Sequence, residues 1–229
     1  MTPFISWSFS KLMKYESCPM AFKLQYIDKL PQPPLPPDNP MERGNRIHNR
    51  LELFVKGEGP IDNEARAIEK FKPALEHLQS LYANGQAHAE DNWFYDQDWN
   101  ACERNDVWLW SKLDFLVLDD THAIVGDYKS GKSGYKTVEH VQQMQLYAAV
   151  TALRFEQLET ITVELWYVDE GHVKAFDWKR EDALRFVGRF DQRINRLYAD
   201  KFFRANPNRT TCRWCPYSPR GTGACPVGV

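Results

Sequence analysis

Two aspartates and a lysine occupy neighbouring segments that have the composition of strands. Asp114 lies within residues 107–118, and Asp127 and Lys129 lie within residues 122–129. Aromatic and β-branched residues predict strands here, and the two aspartates and one threonine between the segments are typical of a turn. Pairing around that turn would put Asp114 opposite Asp127, or within about two residues of it. Asp127 and Lys129 would point to the same face, because strand side chains alternate.

This group of charges has the composition of a site for phosphodiester hydrolysis. Carboxylates so close together repel unless one is protonated or a cation lies between them, and hard divalent cations favour oxygen ligands. Such a cation polarises a phosphate and activates water, and Lys129 can stabilise the developing charge. The alternative is a solvated hairpin end with an ordinary ion pair. However, Asp114 stands in the apolar stretch from Leu113 to Leu118, where an unpaired charge is unusual.

Four more residues are candidates for the same place. His48 falls on the apolar face of a predicted helix, and Gln143 and Tyr147, four residues apart, form one patch on another. Glu90 stands just before the first predicted strand and is an additional acidic candidate. Structural roles are the alternatives: His48 as a core histidine, and Gln143 and Tyr147 as helix surface or core edge.

The rest of the chain supplies the elements that must position these residues. Periodicity and composition predict helices over residues 6–30, 41–57, 62–83, 137–154 and 181–204, and strands over residues 91–99, 107–118, 122–129, 160–168 and 172–178. Cys18-Pro19 interrupts the first helical segment, because proline disfavours helix in the residue before it. A proline-rich connection spans residues 31–40. This order predicts an α/β or α+β domain with a mostly antiparallel sheet.

Composition limits the class of protein. A chain of 229 residues with 43% hydrophobic residues fills one large domain. Its net charge of -2 excludes a surface covered in positive charge, but a local basic face is enough for nucleic-acid binding. We find no secretory signal and no apolar run of about 20 residues that could span a membrane, so we expect a cytoplasmic protein.

The last long helix is a candidate for such a basic face. Arg185, Arg189, Arg193 and Arg196 fall on one side of it, roughly opposite a row of apolar residues. The spacing allows contacts with nucleic-acid phosphates. It equally allows an ordinary solvated amphipathic helix.

Four of the five cysteines stand near the two chain ends. Cys18 lies near the start, and Cys212, Cys215 and Cys225 lie in the tail. A Cys-x-x-Cys pair with two outlying cysteines supplies four thiolates, enough for a tetrahedral zinc or a [4Fe–4S] cluster. Free buried cysteines are the alternative, and Cys102 has no partner in this pattern.

Four segments, in order along the chain, resemble motifs of the RecB-like branch of the PD-(D/E)XK nuclease superfamily. They are Gly44-Asn45-Arg46-Ile47-His48, Leu113-Asp114-Phe115, Gly126-Asp127-Tyr128-Lys129-Ser130-Gly131 and Gln143-Met144-Gln145-Leu146-Tyr147. The resemblance implies a restriction-endonuclease-like core: a mixed central sheet flanked by helices, with an N-terminal helical insertion and a cysteine-rich C-terminal tail. One departure is that the usual glutamate of the Glu-x-Lys motif is here an aspartate.

The resemblance also implies roles for individual residues. The implied ligands of Mg²⁺ or Mn²⁺ are His48, Asp114, Asp127 and the carbonyl of Tyr128. Lys129 is implied to be catalytic together with the two aspartates. Gln143 and Tyr147 match the branch's Gln-x-x-x-Tyr motif, which orients the site or the DNA.

The cysteines resemble those of an iron–sulfur subgroup that includes AddB-type nuclease domains and the CRISPR-associated adaptation nucleases. This implies a [4Fe–4S] cluster on the four clustered cysteines, with structural Zn²⁺ as the alternative. It also implies exonuclease action on single-stranded DNA or DNA ends. A single domain would then comprise an N-terminal helical part (1–85), a nuclease core (86–204) and a cluster-binding tail (205–229). Protein partners in recombination, replication or CRISPR adaptation all stay open.

A P-loop ATPase is the rival reading from another class. Residues 126–133 fit the pattern G-x-x-x-x-G-K-[ST], and residues 163–170 imitate the strand that follows in such enzymes. A P-loop needs a helix to begin at its Lys-Ser, but Gly134 weakens that start. Asp127 would also put an anion inside the phosphate cradle. A non-catalytic DNA-binding relative of the nuclease fold is a third possibility.

Overall fold

The computed structural model describes residues 5–34, 38–62, 64–134 and 137–229. The helices are α1 (Phe9–Ser17), α2 (Pro19–Phe22), a π-helical turn (Lys23–Ile27), α3 (Pro40–Val55), α4 (Ile68–Ala83), α5 (Thr137–Arg154), α6 (Arg180–Ala199) and α7 (Arg209–Arg213), with a 3-10 turn at Arg104–Asp106. The strands are β1 (Ala87–Tyr95), β2 (Leu109–Leu118), β3 (His122–Lys129), β4 (Thr160–Tyr167) and β5 (His172–Lys179).

The five strands form one sheet in the order β1-β2-β3-β4-β5. The β3–β4 pair is parallel and the other three pairs are antiparallel. The parallel pair is joined by α5, which makes a crossover that returns the chain to the same sheet. The mixed sheet flanked by helices confirms the predicted fold class.

Helices cover both faces of the sheet. On one face, buried residues of α1, α5 and α6 such as Leu12, Met144 and Phe190 pack on β2–β4. On the other face, Ile47 of α3 and Leu75 of α4 belong to a second cluster with residues of β1–β4. The sheet is therefore sandwiched between an α1/α5/α6 layer and an α3/α4 layer.

The interruption predicted at Cys18-Pro19 is confirmed: α1 ends at Ser17, because Cys18 is extended before Pro19. Other predicted element ends differ from the structure. The last long helix ends at Ala199, where the Asp200 side chain accepts the amides of Phe202 and Phe203 and turns the chain. The helix predicted from 62 begins at Ile68.

The first strand begins earlier than predicted and includes Glu90. β1 starts at Ala87, directly after a turn in which Gly85 has a φ of 73°. Glu90 is therefore a residue of β1, with a left-handed φ of 56° that is unusual for a glutamate. Among the described residues, no helix is long and apolar enough to cross a membrane.

Candidate active site

Three carboxylates lie side by side across β1, β2 and β3. The β2–β3 pairing includes Phe115 with Gly126, so Asp114 and Asp127 occupy the next opposed positions. The β1–β2 pairing places Glu90 opposite Asp114 in the same way, between two recorded pairs. All three are buried, with 3 to 9% of the residue exposed. This register agrees with the prediction that Asp114 lies opposite Asp127 or within about two residues of it.

Each of these carboxylates is paired with a basic side chain. The three pairs are Asp114 with His48 (Oδ1–Nδ1, 3.0 Å), Asp127 with Lys129 (Oδ2–Nζ, 2.5 Å) and Glu90 with Lys112. Buried carboxylates need such compensation because an isolated buried charge is costly. The three basic side chains therefore neutralise carboxylate charge that a bound cation could also neutralise.

Ligand atoms of His48, Glu90 and Asp114 all lie within 4.8 Å of one another. The second carboxylate oxygen of Asp114 accepts the Tyr128 amide at 2.6 Å. The N–H and C=O of a strand residue point to the same side, so the Tyr128 carbonyl also faces β2. Nitrogen and oxygen donors this close can hold a divalent cation.

Lys129 is held by a network that reaches α5. The Gln143 amide accepts a hydrogen bond from Lys129 Nζ (2.8 Å) and donates to Asp127 Oδ1 (3.2 Å) and to the Tyr147 hydroxyl (2.8 Å). That hydroxyl can donate to Asp127 Oδ1 at 3.1 Å or to the Lys112 carbonyl at 2.9 Å. The structure therefore brings together the predicted pair on α5 and the predicted pair on β3.

Burial and neighbouring charges shift the pKa values of the site. Burial raises the pKa of Asp127, against the opposing effect of the Lys129 ammonium. Burial alone would lower the pKa of His48, but the carboxylates of Asp114 and Asp127 raise it to about 9. Burial also raises the pKa of the Tyr147 hydroxyl well above its ordinary value. Tyr147 therefore acts here as a neutral hydrogen-bonding group.

Two glycines allow this close packing. A Cβ on Gly126 would lie 1.8 Å from the Phe115 ring, so only glycine lets that ring cross β3 beside Asp114. A Cβ on Gly44 of α3 would lie 3.1 Å from Ser130 Oγ. α3 thus approaches the loop after β3 closely, which brings His48 to the sheet.

A cavity adjoins the site. Residues of α1, β2 and α5 line it, together with Lys129 and with Met41 of α3. The lining residues are Ser8, Phe9, Ser10, Met13, Lys14, Ser17, Met41, Trp110, Ser111, Lys112, Lys129, Glu139, His140, Gln143, Leu146 and Tyr147. Lys129 and Gln143 therefore border this cavity, and the largely buried Tyr147 lies behind them.

The P-loop-like segment has a different structure from a phosphate cradle. Its first four residues, 126–129, belong to β3. The amide of Ser133, which a phosphate would require, donates instead to the Glu170 carboxylate at 2.8 Å. Asp169, which imitates the metal-binding aspartate of an ATPase, forms a two-point ion pair with Arg43 on α3. These contacts argue against the ATPase alternative.

The four clustered cysteines line one small cavity between the start of the chain and the tail. Their sulfur atoms are not packed as tightly as the donors of the acidic site. Among the described residues, the group His48, Glu90 and Asp114 is the one with three ligand atoms mutually within 4.8 Å. Cys102 does not line the cavity; its amide pairs with Phe94 beside β1.

The four arginines of α6 have different surroundings. Arg185, Arg189 and Arg196 are exposed, and Arg185 pairs with Asp182 at 2.8 Å. Arg193 is only 18% exposed at its side chain and forms an ion pair with Glu16 of α1 (Nε–Oε1, 2.7 Å). It also reaches Gln142 of α5 at 3.1 Å. Arg193 thus links three helices, whereas the other three arginines face solvent.

Sequence reasoning gave Glu90 too little weight and did not select Lys112. Glu90 lies in the acidic row, and Lys112 forms an ion pair with it and lines the cavity. A signal was present, because Lys112 precedes Asp114 by two residues in a segment otherwise rich in apolar side chains. The position of Glu90 depends on the left-handed φ within β1, which no local sequence pattern indicates.

Comparison with known proteins agrees with this geometry. No curated protein matches the chain. Solved structures that resemble it include the crystal structure of SSO0001, which is 14% identical over 98% of this chain and 87% of that chain, with a TM-score of 0.39. A likeness of this size gives no information about activity. The family model of the PD-(D/E)XK nuclease superfamily matches residues 6–220, and the chain therefore belongs to that superfamily.

Proposed function

We propose that the protein hydrolyses DNA phosphodiester bonds with Mg²⁺ or Mn²⁺. The observation that carries this proposal is the buried row of Glu90, Asp114 and Asp127, with Lys129 beside it at an open cavity. His48, Asp114, Asp127 and the Tyr128 carbonyl would hold the cation, and Glu90 adds a carboxylate to the predicted set. When bound, a cation at such a site polarises the phosphate and supplies hydroxide near neutral pH.

The side chains have distinct roles in this proposal. The Lys129 ammonium donates to a phosphoryl oxygen and stabilises the charge that develops there. Gln143 bridges Lys129 and Asp127, so it fixes the distance between ammonium and carboxylate. Tyr147 orients Gln143 and keeps the end of β2 in place through the Lys112 carbonyl. Gln143 and Tyr147 are thus positioning residues.

The mode of cleavage is the finer part of the proposal. We infer exonuclease action on single-stranded DNA or DNA ends, which the resemblance to the iron–sulfur subgroup of the RecB-like branch supports. The open cavity beside Lys129 supports access of a strand. We place the protein in the cytoplasm, where clustered thiolates stay reduced and available for a metal.

We also infer a [4Fe–4S] cluster on Cys18, Cys212, Cys215 and Cys225. The shared cavity of the four cysteines supports it. The resemblance to the iron–sulfur subgroup supports the cluster over structural zinc, which four thiolates could equally bind. A metal bound in this way would give the tail, residues 205–229, a closing role.

The exposed arginines of α6 complete the proposal. Arg185, Arg189 and Arg196 can contact phosphates. Arg193 remains part of the predicted phosphate-contacting face. Its ion pair with Glu16 supports a structural role in addition.

The experiment that tests the function is a cleavage assay on end-labelled DNA. Wild-type protein is incubated with single-stranded, blunt duplex and closed circular DNA, with Mn²⁺, Mg²⁺ or a chelator. We expect metal-dependent release of mononucleotides or short products from linear single strands, and no cut in circular DNA. Cutting of circles would replace exonuclease with endonuclease action. Absence of any metal-dependent cleavage would leave a non-catalytic DNA-binding relative as the better description.

A further inference from the structure

An exposed indole stands on one wall of the active-site cavity. Trp110 of β2 lines the cavity and is 39% exposed. Its Nε1 donates to Asn92 Oδ1 at 2.9 Å, and the Phe94 ring lies 6.3 Å away between ring centroids. The indole is therefore held in one orientation while part of its surface stays in solvent. An indole held in this way can present its apolar ring to a planar ligand.

Positive charge lies close to this indole. Lys112 follows Trp110 by two residues, so both side chains point to the same face about 7 Å apart. Lys112 is 51% exposed at its side chain, and Lys129 lines the same cavity. Lys14 of α1 lines the cavity as well. Lys112 pairs with Glu90 and Lys129 with Asp127, so a phosphate would meet these two ammonium groups beside carboxylates, with Lys14 as a further cation.

The cavity also has apolar and hydroxyl groups. They come from Phe9, Ser10 and Met13 of α1 and from the exposed Met41 of α3. Apolar surface suits the face of a base, and hydroxyl groups suit its edge or a phosphate. The lining therefore offers the groups that single-stranded nucleic acid uses: aromatic or apolar surface for bases and cations for the backbone.

We propose that Trp110 stacks on an unpaired base next to the scissile phosphate, so that the cavity between α1 and β2 selects a single strand. This inference rests on the proposed function, whose active site it extends. In a duplex the bases cover one another, and no face is free to meet the indole. An unpaired nucleotide has a free face, and stacking of this kind tolerates any base.

The test measures binding separately from cleavage. A Lys129→Ala background prevents the strand from being cut, and anisotropy of a labelled ten-nucleotide oligo-dT in Mn²⁺ reports its affinity. We expect Trp110→Ala to weaken oligo-dT binding about tenfold or more, and to change the affinity for a blunt duplex less than twofold. Trp110→Phe keeps a ring and should retain most of the affinity. Trp110→Leu keeps the bulk without a π-face and should resemble Trp110→Ala.

Phe202→Ala is the matched control, because Phe202 is also an exposed aromatic residue (74%) but lies outside the cavity. Oligo-dT affinity of Trp110→Ala and Trp110→Leu equal to that of Phe202→Ala would overturn the inference. Equal losses for oligo-dT and duplex would also overturn it. Cleavage by protein with intact Lys129 is measured in parallel. Without cleavage the proposed function fails, while the binding comparison still decides the role of Trp110.

Discussion

The amide of Tyr128 donates a 2.6 Å hydrogen bond to the side chain of Asp114. Backbone pairing between β2 and β3 ends at Phe115 and Gly126. The bond from Tyr128 to Asp114 joins the two strands just beyond that pair. A carboxylate thus replaces a carbonyl as acceptor for a strand amide. Its other oxygen is directed to His48. The orientation of Asp114 is therefore set by the strand edge and by α3 together.

Replacing Lys129 by alanine, or Asp127 by asparagine, should reduce the cleavage rate at least about 100-fold, because charge stabilisation or a metal ligand is lost. The measurement is single-turnover cleavage of an end-labelled strand, with circular dichroism to show that the fold is intact. Lys132→Ala is the control, because Lys132 is an exposed lysine three residues further on. It should cleave normally and hydrolyse no ATP. A folded Lys129→Ala that cleaves at the wild-type rate would remove this lysine from the mechanism.

Glu90→Gln should weaken Mn²⁺ binding about 10- to 100-fold, since one carboxylate near the cation loses its charge. Titration calorimetry without DNA measures this directly, and the Mn²⁺ concentration for half-maximal cleavage should rise in parallel. Glu103→Gln, an exposed residue before the 3-10 turn, is the control. Unchanged Mn²⁺ affinity in Glu90→Gln would show that Glu90 only balances Lys112.

Asp169→Asn should lower the free energy of unfolding by about 1–3 kcal/mol at neutral pH, because it breaks a two-point ion pair with Arg43. The Arg43 guanidinium lowers the pKa of Asp169, against the effect of burial. The stabilisation is thus complete above the unfolded-state pKa of about 3.9 and is lost as the pH falls through the lower folded-state pKa. Urea unfolding at several pH values should show the wild-type advantage shrinking only in acid. Asp62→Asn, at an exposed carboxylate, should have little effect at any pH.

Replacing any one of Cys18, Cys212, Cys215 and Cys225 by serine should give protein that is poorly soluble or sensitive to protease. The cluster would join residues almost a full chain apart, and metal binding to thiolates is coupled to folding. Cys102→Ser should behave as wild type. Iron and sulfide analysis with a visible spectrum of anaerobically purified protein identifies the metal. One zinc per chain in colourless protein would replace the cluster, and stable protein without metal would contradict the closing role of the tail.

Changing Arg185, Arg189 and Arg196 together to glutamine should weaken binding of all DNA sequences alike. The slope of log affinity against log salt should fall by about one for each phosphate contact removed. Arg193→Gln is measured alongside the triple variant. Because this change removes the ion pair with Glu16, it should also lower the free energy of unfolding. An unchanged slope in the triple variant would leave this face of α6 as ordinary solvated surface.

The order of elements and the fold class could be predicted, because periodicity and turn composition are local properties. The opposition of Asp114 and Asp127 was also predictable, since a short turn fixes strand register. The residues at which helices and strands begin and end were harder to predict. The helix end at Ala199 depends on the Asp200 side chain accepting two amides. The break before Pro19, in contrast, was predicted, because proline disfavours helix in the residue before it.

Within the site, the residues selected from motifs contact one another, whereas Lys112, the partner of Glu90, was not selected. Lys112 approaches Glu90 only because β1 and β2 pair in one register and Glu90 adopts a left-handed φ. Arg193 was placed on an arginine face by helical spacing alone. Its contact with Glu16 depends on how α6 packs against α1, which is far away in the chain. Spacing within one helix does not reveal such packing.

The ends of α1 have a consequence for the cavity that it borders. Just before the helix, the backbone of Trp7 pairs with Trp108 and Trp110 at the start of β2; just after it, Cys18 meets the tail. The helix is thus held at one end by β2 and at the other by the tail. Between these ends Leu12 is buried in the core and Glu16 pairs with Arg193 of α6. The side of the cavity that α1 forms therefore rests on residues from the first strand pair, the last long helix and the tail.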